Sequence, residues 1–175
     1  TFETGYDVIS NGVLSGKTAK GKETTWNYKM SQPMSSYLVM MAIGKFDKKT
    51  EKAASGVTIE NYIRPVDAPK YATTYQHTKK MFDFLEKETG FNYPWQTYRN
   101  IPVEDFMYGG MENTTSTIFN SDYVVDNIGV NDRDYVNVNA HEMAHQWFGN
   151  VITAKTSKDH WLQEGFATYY ALLAE

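Results

Sequence analysis

His141-Glu142-Met143-Ala144-His145 sets two imidazoles four residues apart with a carboxylate beside the first. On an α-helix, residues four apart lie on one face, so both rings can reach a single metal ion. Glu142 is rotated about a quarter turn away and can touch a water molecule at that ion without being a ligand. Zinc suits the set because it accepts two nitrogens and a carboxylate oxygen and leaves one position for water. Chance supplies only about 0.006 matches to this pattern in a chain of this composition. The competing reading is a helix carrying two hydrogen-bonded histidines.

A third ligand separates the two. An arrangement with a glycine and a third histidine soon after His145 is absent, because Phe148 and Val151 occupy those positions. Glu164 lies further on, after an interval that accommodates the end of the first helix, a loop and the start of a second. An antiparallel helix pair would bring it beside the histidines. Gly165 fits that geometry, since a glycine inside a helix costs about 1 kcal/mol against alanine and close helix approach would account for it. The apolar neighbours Trp161, Leu162, Phe166 and Tyr170 argue against a merely solvated Glu164. His160, four residues before Glu164, is either a rival ligand or an outer partner of one. His77 falls on another helix and receives no role.

A second cluster is Gly109-Gly110-Met111-Glu112-Asn113. From the residues alone, Gly-Gly is a turn or bulge and Glu112 a surface acid. The glycines would equally let a peptide backbone approach a strand edge.

The elements that must position these groups are legible in outline. The chain has 175 residues, 41% of them hydrophobic and 15% aromatic, enough for a core and inconsistent with disorder. A net charge of -4 without a Lys/Arg block argues against a nucleic-acid partner. The absence of cysteine excludes disulfides and thiolate metal sites and leaves the compartment undecided. The longest apolar run, Tyr37 to Ile43, is far too short to span a membrane. Thr1 in place of Met, and an apolar helical end at Glu175 with no stop signal, read as a piece of a longer protein.

Residues 1–45 are predicted to be β-rich, with Trp26–Met30 and Tyr37–Phe46 as strands, and Val57–Ile63 as another ended by Pro65. A helix is predicted from Pro69 to Thr89, with Asp67 as N-cap and Gly90 as the stop. Strand and loop follow from Phe91 to Val125, then helices from Asp134 to Phe148 and from Asp159 onward. The expected class is α+β, a mixed sheet followed by a helix pair.

With these residues in view, the chain resembles the aminopeptidase N family of gluzincin metallopeptidases. The resemblance rests on HEMAHQWFGN (141–150), WLQEGFATY (161–169) and GGMEN (109–113), in that order. It extends to Ile9–Gly12 and Pro33–Leu38, which look like the closing strands of that family's N-terminal β domain. It implies a domain end at residues 1–45 and the front of a thermolysin-like catalytic domain at 46–175. It implies one zinc ion on His141, His145 and Glu164, with Glu142 as general base. It also implies a peptide-lining strand at Gly109, Gly110, Met111, Glu112 and Asn113, with Glu112 binding the free amino group of the substrate. Gln163 stands where the family commonly has asparagine. A downstream tyrosine that stabilises the oxyanion in the family has no counterpart among these residues. The remaining readings are a gluzincin endopeptidase and a non-catalytic zinc or peptide-binding module.

Overall fold

A five-stranded mixed sheet carries the rest of the molecule. The computed structural model describes all 175 residues. Residues 1–44 hold β1 (Phe2–Glu3), β2 (Asp7–Ser10), β3 (Val13–Lys20), β4 (Glu23–Lys29) and β5 (Met41–Gly44). These form a three-stranded sheet in the order β1-β4-β3 and a two-stranded sheet of β2 and β5. The main sheet then takes β6 (Asp47–Lys52), β7 (Thr58–Ile63), β8 (Thr97–Val103), β9 (Gly110–Met111) and β10 (Ser116–Asn120). Its order is β6-β7-β8-β10-β9, with β7, β8 and β10 parallel and the two outer strands antiparallel to their neighbours. Four helices follow the chain: α1 (Tyr71–Thr74), α2 (Thr78–Thr89), α3 (Val136–Ala144) and α4 (Trp161–Ala174). None is long and apolar enough to cross a membrane.

Strand pleating assigns the two faces of the sheet. On β8, Tyr98 and Asn100 point to the helices, while Arg99 and Ile101 point to the N-terminal strands. The helix-side core joins Ile59 and Tyr98 to Phe82 and Leu85 of α2, Met143 of α3, and Ala167 and Ala171 of α4. The opposite face packs Tyr62 and Ile101 against Ile9, Met40 and Ala42. Arg99 bridges the layers from a position only 4% exposed. It donates to the Glu60 carboxylate at 2.6 Å and to the Gly12 carbonyl at 2.6 Å.

Several boundaries differ from the sequence-based expectation. The helix predicted from Pro69 is broken: residues Pro65–Lys70 form a 3-10 helix, and α1 and α2 are separated at Tyr75–His77. Tyr75 is buried and donates its hydroxyl to the Tyr62 carbonyl at 2.6 Å, which holds the chain against the sheet there. Asp67 caps nothing; its carboxylate is paired with Arg64 and Lys70 inside the 3-10 turn. Gly90 does end α2, in the left-handed conformation at φ 66°. The strand predicted over Tyr37–Phe46 is confined to β5, preceded by a 3-10 turn at Ser36–Leu38. Side chains replace a strand partner there: Asn11 donates to the Leu38 carbonyl and accepts from the Met40 amide.

Candidate metal centre

The first helix of the centre is fixed before it reaches the histidines. Asn139, fully buried on α3, donates its amide to Asn100 Oδ1 at 3.0 Å and to the Tyr98 hydroxyl at 3.2 Å. Asn100 in turn accepts from the Tyr135 hydroxyl at 2.9 Å and donates to Asn61. This satisfied polar network locks the rotation of α3 on the sheet. One turn later, the histidines face the cleft.

His145 Nε2 and His141 Nε2 are 3.0 Å apart. Glu164 Oε2 lies 3.3 Å from His141 Nε2 and 3.4 Å from His145 Nε2. Adjacent ligands on a tetrahedron around zinc are separated by about 3.3 Å, so the three donors fit one ion with little adjustment. His145 Nδ1 lies 2.9 Å from the Phe148 carbonyl. With its proton donated there, the ring leaves Nε2 as the ligand atom. The predicted trio is therefore brought together, from two helices, by the spacing read in the sequence.

Burial around Glu164 differs from expectation. Its side chain is 45% exposed, and Trp161, Leu162 and Phe166 also lie on the outside of α4. Gly165 likewise has open space: a Cβ there would meet nothing within 4 Å. Close helix approach does not account for this glycine. His160 faces the other oxygen of the ligand, with Nε2 3.5 Å from Glu164 Oε1. That is the geometry of an outer partner, although Glu112, His160 and Glu164 also cluster closely enough to hold a cation.

Glu142 is 6% exposed and packs against β9. A Cβ on Gly110 would come within 2.5 Å of Glu142 Cγ and 2.6 Å of Cδ, so only glycine leaves room for this carboxyl group. Sequence reasoning assigned that glycine to an approaching peptide; the group it admits here is the protein's own Glu142. Burial pushes the Glu142 carboxyl up to about 8, with Glu112 and Glu164 adding to the effect and His145 opposing it. Burial alone would disfavour a charge on His145, but Glu164, Glu112 and Glu142 outweigh it and raise the ring to about 9. Glu164 is drawn down to about 2 by its hydrogen bond to His145, against burial, with His141 and His160 contributing. Burial and the adjacent His145 lower His141. A bound cation would favour the deprotonated form of every one of these groups.

Gly109, Gly110, Met111 and Glu112 line the same cleft of about 580 Å³ as the metal trio, together with Tyr37 and Tyr123. Asn113 does not; its side chain donates to the Leu38 carbonyl at 3.2 Å. Glu112 is 5% exposed and takes part in none of the ion pairs. It is the opposite of the surface acid that its residue type suggests. Tyr37, from the N-terminal segment, was not anticipated at the site. Its hydroxyl accepts from Gln163 Nε2 at 3.1 Å, and its ring meets His160 edge-on at 6.0 Å. Only tertiary structure carries that signal.

A family profile described as "Peptidase family M1 domain" matches residues 73–174. The chain belongs to peptidase family M1. The match runs from α1 to the end of α4 and so contains the cleft, and it bears out the resemblance carried by the three motifs. Among curated M1 relatives, "Glutamyl aminopeptidase" of Homo sapiens is 31% identical over 173 residues, covering 96% of this chain and 18% of its own length. "Aminopeptidase A" of Gloydius brevicauda is 32% identical over 183 residues, covering 99% and 19%. "Aminopeptidase N" of Streptomyces lividans is 31% identical over 174 residues, covering 94% and 20%. The chain thus spans about a fifth of the length of these relatives.

Proposed function

We propose that the protein containing this chain is a zinc-dependent aminopeptidase that removes N-terminal residues from peptides. The observation that carries the reading is Glu112: a buried carboxylate that takes part in none of the ion pairs, grouped with Glu142 and His145 in one cleft. Such a group is matched by the α-ammonium of a peptide, and it makes cleavage depend on a free amino terminus. The names of the three relatives agree on aminopeptidase and differ in the type, so the free terminus is the level at which they support the reading.

In this reading His141, His145 and Glu164 hold one zinc ion, which when bound supplies Lewis acidity to a carbonyl and to a water molecule. Glu142 takes the proton from the attacking water and returns it to the leaving amine. Its carboxyl group is buried against Gly110, on the same cleft as the trio. Gly110–Met111 form β9, an outer strand of the sheet, which offers an edge with which an extended peptide can pair. We read residues 1–45 as the end of a β domain and 46–175 as the front of a thermolysin-like catalytic domain. The start of the main sheet at Asp47 supports that division.

The test uses the full-length protein. Glu142→Gln is expected to retain zinc and to lose turnover by about 10²–10⁴-fold. Normal turnover would remove Glu142 from the chemistry. Equal cleavage of free and N-acetylated peptides by the unmodified protein would favour an endopeptidase instead.

A further inference from the structure

One carbonyl near the cleft receives two side-chain donors from the segment that supplies a metal ligand. Gln146, the residue after His145, is fully buried, and its Nε2 donates to the Glu112 carbonyl at 3.0 Å. Asn150 Nδ2 donates to the same oxygen at 2.8 Å. The Gln146 Oε1 turns the other way and accepts from the Thr115 amide at 3.0 Å. A single amide side chain therefore grips the loop after β9 at both ends of its turn.

That loop is strained. Thr115 is a β-branched residue at φ 69°, a conformation such residues avoid, and it is completely buried. Two further groups hold it besides Gln146: its carbonyl accepts from the Arg99 amide at 2.9 Å, and its hydroxyl accepts from the Gly12 amide at 2.7 Å. Asn150 adds a second anomaly, since its Oδ1 is buried and has no hydrogen-bond partner. A side chain that leaves a buried acceptor unmet is unfavourable unless its donor matters. That donor is spent on Glu112.

We propose that Gln146 and Asn150 are positioning residues that fix the Glu112 carboxylate relative to the metal donors. His145 and these two amides belong to one six-residue stretch, so the stretch that binds the ion also sets where the amine anchor stands. The loop would relax from its strained turn without them, and the anchor would lose its register to the scissile bond. The inference rests on the aminopeptidase reading and deepens it.

The experiment measures kcat/KM of the full-length protein on one peptide with a free and with an acetylated N-terminus, alongside zinc content. Gln146→Met removes both grips at nearly constant volume, and Asn150→Ala removes one donor together with the unmet acceptor, so it is the variant that tests folding least. Both are expected to keep stoichiometric zinc. The free-over-acetylated ratio should fall by about tenfold or more for Gln146→Met and about threefold for Asn150→Ala, as expected for losing buried hydrogen bonds. In a Glu112→Ala background neither substitution should change the ratio further, because both act through that residue. Should Gln146→Met not fold, Asn150→Ala and its Glu112→Ala double variant decide. An unmodified protein with no preference for the free terminus would overturn the aminopeptidase reading itself. A preference that survives in folded, zinc-loaded Asn150→Ala and Gln146→Met would overturn this inference and leave that reading intact.

Discussion

The two helices that meet at the candidate metal centre are built differently. Helix α3 buries Asn139, Ala140, Glu142, Met143 and Ala144 and is tied to the sheet by the asparagine–tyrosine network. Helix α4 buries only Gln163, Ala167 and Ala171, a narrow stripe of one residue per turn, and leaves Trp161, Tyr169 and Leu172 more than half exposed. Its firmest aromatic contact is the stacking of Phe166 and Tyr170 on Phe148. One wall of the centre is therefore set by folding, and the other leans on it. A metal ion joining them would change the second far more than the first.

The contrast can be broken in three ways. Met143→Ala, which empties a fully buried site on α3, is expected to cost about 2–5 kcal/mol, read as a shift in denaturant midpoint. A loss no larger than that of an exposed α4 residue would mean that α3 is not the anchored wall. Zinc at a hundredfold excess over its dissociation constant should add about 2.7 kcal/mol to the 175-residue chain. Hydrogen exchange should place the gain in protection mainly in α4; equal gains in both helices would contradict the leaning-wall picture. The smallest effect concerns Gly165, whose missing side chain is not required by any neighbour. Gly165→Ala should stabilise the chain by about 0.5–1 kcal/mol in thermal unfolding. Destabilisation would reveal a constraint on α4 that the present contacts lack.

The cluster of His141, His145 and Glu164 was readable because helix geometry is local: a four-residue spacing fixes a face, and the following loop returns the chain to it. Glu164 comes beside the histidines for that reason, while its exposure differs from expectation, because apolar neighbours on a helix say nothing of which side they face. Glu112 needed the family resemblance. Its carbonyl is held by Gln146 and Asn150, more than thirty residues away, beside a strained Thr115 that no propensity would suggest. Arg99 and Asn11 escaped notice for the same reason, since their partners lie across the sheet. The single predicted helix over 69–89 failed where Tyr75 exchanges helical continuity for a tertiary hydrogen bond to Tyr62.

The close fit of Gly110 against Glu142 has a practical consequence for anyone who would transplant this centre. Copying α3, α4 and the loop between them into another scaffold moves the three donors and the Glu142 carboxyl group but not the bare stretch of strand that makes room for it. A recipient with any side chain at the facing position would push the carboxyl group out of its seat. The smallest portable unit is thus both helices and an edge strand together, although the sequence keeps Gly110 some thirty residues before Glu142.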